Sequence, residues 1–165
     1  MMSRFKQSTV AFGTGLALML MASTAFAATV VKVDLWDKGA ATTMGTGMGY
    51  AKPGLDLSKA TMGIKTSVAS APAGVVSFQV TNTSADTVHE MIVMYLADPS
   101  QALPYIAGDS KVDEDKAGDK GEVSELDPGK SGTLTIALKP GKYLLICNVA
   151  NHFMAGMWTS FEVTK

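Results

Sequence analysis

Residues 142–158 read Lys142-Tyr-Leu-Leu-Ile-Cys147-Asn-Val-Ala-Asn-His152-Phe-Met-Ala-Gly-Met157-Trp158, and this stretch decides the fold. The apolar run that ends at Cys147 and the run that begins at Trp158 predict two β-strands. A Lys-Pro-Gly-Lys turn at residues 139–142 joins the first of them to an earlier apolar run in a short hairpin. The connection between the two strands therefore carries a thiol, an imidazole and a thioether.

Other parts of the chain show the same strand pattern, with β-branched and aromatic residues bounded by turn residues. Many short strands with such turns predict an all-β fold, a β-sandwich or barrel. No segment has sustained helical periodicity with caps, so any helix should be short and lie in the long connection after Leu96. The predicted strands are Thr29–Trp36, Ala60–Ser67, Gly74–Thr81, Val88–Leu96, Gly132–Leu138, Lys142–Cys147 and Trp158–Thr164.

Two regions do not fit the strand pattern. Residues 37–58 contain several glycines and a Pro-Gly pair, which indicates an extended, loop-like N-terminal arm. Residues 98–130 are rich in Asp, Glu and Lys, which predicts a surface excursion with a turn or short helix. Mixed charge of this kind favours a solvated face over a docking surface.

The N-terminus has the pattern of a secretory signal peptide. Residues 1–27 begin with Arg4 and Lys6, continue with an apolar run and end in Ala25-Phe26-Ala27. The apolar run is shorter than the roughly 20 residues that span a bilayer, so cleavage and export to the periplasm, without stable membrane insertion, are expected. Residues 28–165 then match one domain of typical size.

The charge of the chain excludes one class of function. The sequence has 165 residues and a formal net charge of −1, and removal of the signal peptide takes away two cations and no acid, which leaves −3. A nucleic-acid-binding protein needs a basic surface to neutralise phosphates. The mature sequence therefore gives no support for nucleic-acid binding.

Cys147 is the only cysteine of the chain, so it cannot form an internal disulfide. A buried free cysteine that packs as a small hydrophobe is the simplest interpretation of such a residue. An exported protein that carries a free thiol nevertheless risks its oxidation, and ligation of a metal as thiolate is one way to prevent this.

The chain has only two histidines, His89 and His152. His89 begins a predicted strand, where alternation places it on one face with Met91, Val93 and Tyr95, and alone it is interpreted as a partly buried histidine. If its strand neighbours that of Cys147, the two imidazoles and the thiol come together. Thiolate and imidazole select copper or zinc, and Met157 favours copper because a thioether is a poor zinc ligand.

The sequence resembles the cupredoxins, the type 1 blue-copper proteins, over roughly residues 74–165. The resemblance rests on Val76-Ser-Phe78-Gln-Val80-Thr-Asn82 before His89, on Tyr143-Leu-Leu-Ile-Cys147, and on the Cys-x4-His-x4-Met spacing. That spacing is similar to the loops of rusticyanin and sulfocyanin. The family implies a Greek-key β-sandwich, here with an N-terminal extension.

The resemblance also implies a ligand set and a role. His89, Cys147 and His152 would be equatorial ligands of one type 1 copper, with Met157 axial. The family implies an electron carrier whose partner is a redox protein such as a c-type cytochrome, with the second histidine reaching an apolar electron portal. Phe153 and Met154, which follow that histidine, either line this portal or pack in the core.

Two positions depart from the family pattern. Glu90 replaces the Asn that often follows the first histidine, and Ala150-Asn151 replaces a Pro-Gly pair. Contacts around the ligands tune a metal site, so these changes bear on the reduction potential. Asn148 or Asn151 is expected to supply the missing hydrogen bond near the sulfur.

The same residues bear on two other classes of function. A multicopper enzyme needs further histidines and a Ser-His-Asp hydrolase needs one of the two already assigned, so the chain is interpreted as not an enzyme. The stronger alternative is a copper-binding protein for copper tolerance, sequestration or delivery, working with a copper-handling protein. Met44 and Met48 in the glycine-rich arm support it, because thioethers suit Cu(I).

Overall fold

The computed structural model describes residues 27–165, so the predicted signal peptide lies outside the described residues except for Ala27. Two sheets face each other, one with strand order β2-β1-β4-β9 and one with order β3-β11-β10-β5-β8. The prediction of an all-β, Greek-key sandwich is confirmed. The strands are β1 Thr29–Asp37, β2 Met62–Thr66, β3 Ser70–Pro72, β4 Gly74–Asn82, β5 His89–Tyr95, β6 Tyr105–Ile106, β7 Lys111–Val112, β8 Asp119–Leu126, β9 Ser131–Leu138, β10 Gly141–Ile146 and β11 Trp158–Thr164, and the one-turn helix α1 spans Glu114–Ala117.

All seven predicted strands are present, but four others were missed. The prediction of residues 98–130 as a surface excursion was partly wrong, because this segment contains β8, which pairs with β5 as the edge of the second sheet. Strand β8 reads Asp-Lys-Gly-Glu-Val-Ser-Glu-Leu and buries only Val123, so its sequence carries almost no apolar alternation. The expected short helix does lie here, as α1.

The second sheet is buried on both of its faces. One face packs against the first sheet in a cluster that includes Met91, Val93 and Leu145. The opposite face carries Ile92, Met94 and Leu144, which are covered by residues of the arm and of the connection after Leu96. This double burial explains the continuous apolar run of β5, since both alternating faces must be apolar.

The N-terminal arm packs against the loop that joins β10 to β11. The Met48 N–H donates to the Met154 carbonyl at 2.9 Å, and Trp158 Nε1 donates to the Met48 carbonyl at 2.7 Å. The Tyr50 ring meets the Trp158 ring edge to face at 5.2 Å. These contacts fix the arm although residues 38–56 form neither helix nor strand.

The topology brings the start of β5 and the end of β10 to the same end of the second sheet. The two strands are antiparallel, with Ile92 opposite Ile146. His89 is the first residue of β5 and Cys147 directly follows β10. No helix of the described residues is long and apolar enough to cross a membrane.

Candidate metal centre

Three side chains converge at this end of the second sheet: His89, Cys147 and His152. Their donor atoms all lie within 4.8 Å of one another, and all three residues are buried. The two Nδ1 atoms are 3.2 Å apart, and Cys147 Sγ lies 3.4 Å from His152 Nδ1 and 4.0 Å from His89 Nδ1. The predicted cluster of one thiol and two imidazoles is therefore present.

The donor set fits a single soft or borderline metal ion. With metal–nitrogen lengths of about 2.0 Å and a metal–sulfur length of about 2.3 Å, as at zinc, a trigonal site needs donors about 3.5 to 3.8 Å apart. The observed separations scatter around those values. Two imidazoles and one thiolate in a plane are the equatorial donors that a blue-copper site uses.

Backbone hydrogen bonds hold the loop that carries these donors. The Cys147 N–H donates to the Met157 carbonyl at 3.0 Å, and the Met157 N–H donates to the His152 carbonyl at 3.0 Å. Met157 is fully buried within the same core cluster as Cys147. Asn151 adopts a positive φ of 71°, the left-handed region that asparagine enters more readily than most residues with a Cβ.

Comparison with known proteins supports this picture at the level of the fold. No family model and no curated protein matches the sequence. Among solved structures, dithionite-reduced auracyanin from Roseiflexus castenholzii is 16% identical, with a TM-score of 0.51 over 84% of this chain and 98% of that one. Auracyanin A from Chloroflexus aurantiacus, a "blue" copper protein, is 16% identical with a TM-score of 0.51 over 83% and 99% of the two chains. Rusticyanin from Thiobacillus ferrooxidans is 15% identical with a TM-score of 0.50 over 84% and 79%.

The chain has a cupredoxin fold. Within this cupredoxin fold, His89 and the loop from Cys147 to Met157 stand at one end of the sandwich. Asn82, the last residue of β4, organises the turn before His89, because its side-chain amide donates to the carbonyls of Thr87 and Leu126 at 2.8 Å. The Asn that ends the Val76–Asn82 motif thus has a direct structural role.

Burial sets the protonation of the donors. It raises the pKa of the Cys147 thiol to about 12. Burial, together with the nearby His89, lowers the pKa of His152 to about 4, and burial also lowers the pKa of His89. At neutral pH both imidazoles are neutral and offer lone pairs, whereas the thiol must lose its proton to become a ligand.

The hydrogen bond to the sulfur comes from the backbone. The Glu90 N–H donates to Cys147 Sγ at 3.5 Å. Asn148, expected to contact the sulfur, instead directs its side chain away: its Oδ1 accepts from the Val112 N–H at 2.6 Å and its Nδ2 donates to Glu114 at 2.6 Å. The Asn151 N–H donates to the Ser110 carbonyl and not to the sulfur.

The Glu90 side chain is only 8% exposed. Its Oε1 accepts a hydrogen bond from the Asn148 N–H at 3.0 Å. Burial first, and then the negative charges of Glu122 and Glu114, raise the pKa of Glu90 to about 7. The residue that replaces the family's Asn is therefore an ionisable group one position from a candidate ligand.

One residue of the site, Asp37, was missed from the sequence. Its Oδ2 lies 2.6 Å from His89 Nε2, and its side chain is only 4% exposed. Asp37 is the last residue of β1, one position beyond the predicted strand end and at the start of the predicted arm. A carboxylate directly after an apolar strand is the only local sequence signal, because its contact with His89 depends on how β1 lies in the fold.

His152 is the one candidate ligand that lines a cavity found among the described residues. The cavity holds about 180 Å³, and its wall includes Met44, Met62, Thr61 and Asp37. His152 itself is only 4% exposed because residues of the arm cover it. Phe153, which flanks His152, is buried. It belongs to the outer core cluster, which is the cluster on the face of the second sheet that points away from the first sheet.

Proposed function

We propose that this chain is a mononuclear type 1 copper protein that carries one electron at a time between periplasmic redox partners. The single observation that carries the proposal is the convergence of Nδ1 of His89, Sγ of Cys147 and Nδ1 of His152 in a buried cluster. In the proposed site these three side chains are the equatorial ligands, and Met157 is the axial ligand.

Bound copper would supply a one-electron couple between Cu(II) and Cu(I). The chain supplies rigidity, because the donors lie on packed strands and on a loop with hydrogen bonds at both ends. Donors held in one arrangement keep the rearrangement per electron small. Fixed donors and a buried sulfur suit electron transfer better than catalysis, which would need a position for substrate, and the proposed role is accordingly not enzymatic.

The proposed location follows from the sequence of the N-terminus. Cleavage of residues 1–27 would release a single periplasmic domain, residues 28–165, that needs no membrane insertion. A c-type cytochrome is the proposed class of partner. The proposed docking surface is the one above His152, where Met44 is 41% exposed and lines the same cavity.

The test is the addition of Cu(II) to the mature protein. An intense visible thiolate-to-copper band is expected, and Cys147→Ser should abolish it while the fold persists. Stopped-flow mixing of the reduced protein with an oxidised c-type cytochrome should then restore the band, as each Cu(I) gives one electron to the cytochrome. A colourless wild-type protein that binds zinc at full occupancy contradicts the proposal.

A second candidate function, copper sequestration or delivery, is favoured by the cavity at His152. Two thioether residues, Met44 and Met62, line it together with an imidazole, and soft thioethers suit Cu(I). The buried hydroxyl of Thr61, on the same wall, has no hydrogen-bond partner among the described residues. Met48, the other methionine of the arm considered above, is not part of this wall.

Met44→Leu separates the two functions, with Met48→Leu as a matched control in the same arm. If the cavity collects copper for handling, Met44→Leu should slow loading with Cu(I) at least severalfold, whereas Met48→Leu should not. A deletion strain should then be copper-sensitive with normal respiration. Equal loading rates in both variants favour the electron carrier alone.

A further inference from the structure

Asp37 is a buried carboxylate that pairs with a candidate ligand. Its Oδ2 lies 2.6 Å from His89 Nε2, and its Oδ1 accepts a hydrogen bond from the Gly39 N–H at 2.7 Å. None of the salt bridges among residues 27–165 joins Asp37 to a lysine or arginine. A buried charge is costly without a partner, so the pairing with the imidazole accounts for its presence.

The geometry fixes which nitrogen of His89 carries the proton. Nδ1 faces Cys147 Sγ at 4.0 Å and His152 Nδ1 at 3.2 Å, whereas Nε2 faces the carboxylate. A carboxylate accepts and does not donate, so Nε2 holds the proton and donates it to Asp37. The lone pair of Nδ1 is then directed into the cluster, as a metal ligand requires.

The charge of Asp37 adds a second effect. Both of its oxygens accept hydrogen bonds, Oδ1 from the Gly39 N–H and Oδ2 from His89 Nε2, and such bonds favour the ionised carboxylate. An ionised carboxylate beyond the imidazole makes the ring a stronger donor. It also attracts a doubly charged ion more strongly than a singly charged one at the same position.

We infer that Asp37 is a positioning residue that holds His89 in its ligating tautomer and biases the site toward the oxidised metal, which lowers the reduction potential. The inference rests on the proposed function for its second half. Its first half, the orientation and tautomer of His89, applies to the metal-free protein as well. The short carboxylate contact reaches the site from β1, a strand outside the loop that carries the other donors.

The experiment uses the mature protein with Asp37→Asn, and Asp34→Asn as the matched control. Asp34 lies on the same strand with an exposed side chain. The amide keeps the size of the side chain and an acceptor for Gly39 but removes the charge. Asp37→Asn should shift the relative affinity for Cu(II) and Cu(I) about tenfold toward Cu(I), a rise of about 59 mV for one electron, and Asp34→Asn should not.

Nitrogen NMR of the metal-free protein gives a readout that needs no copper. His89 should be protonated at Nε2 in the wild type, with a strongly hydrogen-bonded proton that Asp37→Asn loses. Asp37→Glu, which keeps the charge, should restore part of the wild-type potential. A wild-type His89 protonated at Nδ1 overturns the first half of the inference, and an Asp37→Asn protein that is blue at an unchanged potential overturns the second half.

The two proposals fail in different ways. A wild-type protein that forms no blue site rejects the proposed function, and the NMR measurement then decides the role of Asp37 in orienting His89 by itself. A blue wild-type site whose potential ignores Asp37 rejects only the bias toward the oxidised metal.

Discussion

The backbone N–H of Glu90 lies 3.5 Å from Cys147 Sγ and donates to it. One strand, β5, therefore supplies both a candidate ligand, His89, and a hydrogen bond to the sulfur from the next residue. Because neighbouring strand residues point to opposite faces, the Glu90 side chain lies on the other side of the sheet, where it accepts from the Asn148 N–H. Through its backbone and its side chain, Glu90 thus contacts both Cys147 and Asn148.

We expect Glu90→Gln to change how the stability of the metal-free protein depends on pH. The pKa of Glu90 is raised from 4.5 to about 7 in the folded state, so the folded protein binds more protons than the unfolded chain in that window. The stability that Glu90 contributes is complete below pH 4.5 and is lost as the pH rises toward 7. That loss is at most about 3.5 kcal/mol, at about 1.4 kcal/mol per pKa unit.

Glutamine does not titrate, so the free energy of unfolding of Glu90→Gln minus that of wild type should grow between pH 4.5 and 7. His152, whose pKa is lowered to about 4, gives both proteins an opposite slope that cancels in this difference. Denaturant titrations at several pH values measure it. Glu125→Gln, an exposed position on β8, is the control, and a pH-independent difference for Glu90→Gln contradicts the expectation.

Copper binding near pH 7.5 should release one proton per ion. Burial raises the pKa of the Cys147 thiol to about 12, while the imidazoles of His89 and His152 are neutral at this pH because burial lowers their pKa values. Among the three proposed equatorial ligands, only the thiol therefore has a proton to lose when the metal binds. Calorimetry in buffers of different ionisation enthalpy counts the protons.

Cys147→Ser is the control for that count, and its release should fall to near zero. A wild-type release near zero would mean that Cys147 is not the ligand, whereas a release near two would mean that one of the histidines is protonated before binding.

The sequence predicted what depends on local pattern and missed what depends on remote packing. The strands on both sides of the Cys147 loop, and the place of His89 at a strand start, follow from apolar runs bounded by turn residues. Strand β8 was missed because it buries Val123 and few other residues at a sheet edge. Asp37 was missed because its distance from His89 depends on the parallel pairing of β1 with β4, a contact that no spacing in the sequence encodes.

Met157→Leu should preserve copper binding and raise the reduction potential. Leucine fills a similar volume in this fully buried position, so the cost in stability should stay below about 1.5 kcal/mol. If Met157 is the axial ligand, its replacement leaves three donors, and because the lower coordination number suits Cu(I) better than Cu(II), the potential should rise. Redox titration of the visible band measures it.

Met94→Leu is the matched control, because Met94 is equally buried but lies in the outer core cluster. Its potential should equal that of wild type. An unchanged potential and spectrum in Met157→Leu would show that Met157 fills the core and is not a ligand.

Trp158→Phe should loosen the N-terminal arm from the ligand loop. The indole Nε1 donates to the Met48 carbonyl at 2.7 Å, and phenylalanine keeps a ring against Tyr50 but has no donor. The loss of one hydrogen bond should lower the free energy of unfolding by about 1 kcal/mol. Hydrogen exchange of the Met48 amide, which donates to Met154, should become faster because the arm opens more often.

Trp36→Phe replaces the other tryptophan of the chain, on β1, and should leave that exchange unchanged. Unaltered Met48 exchange in Trp158→Phe would mean that the remaining contacts hold the arm, and that the cover over His152 does not depend on the indole.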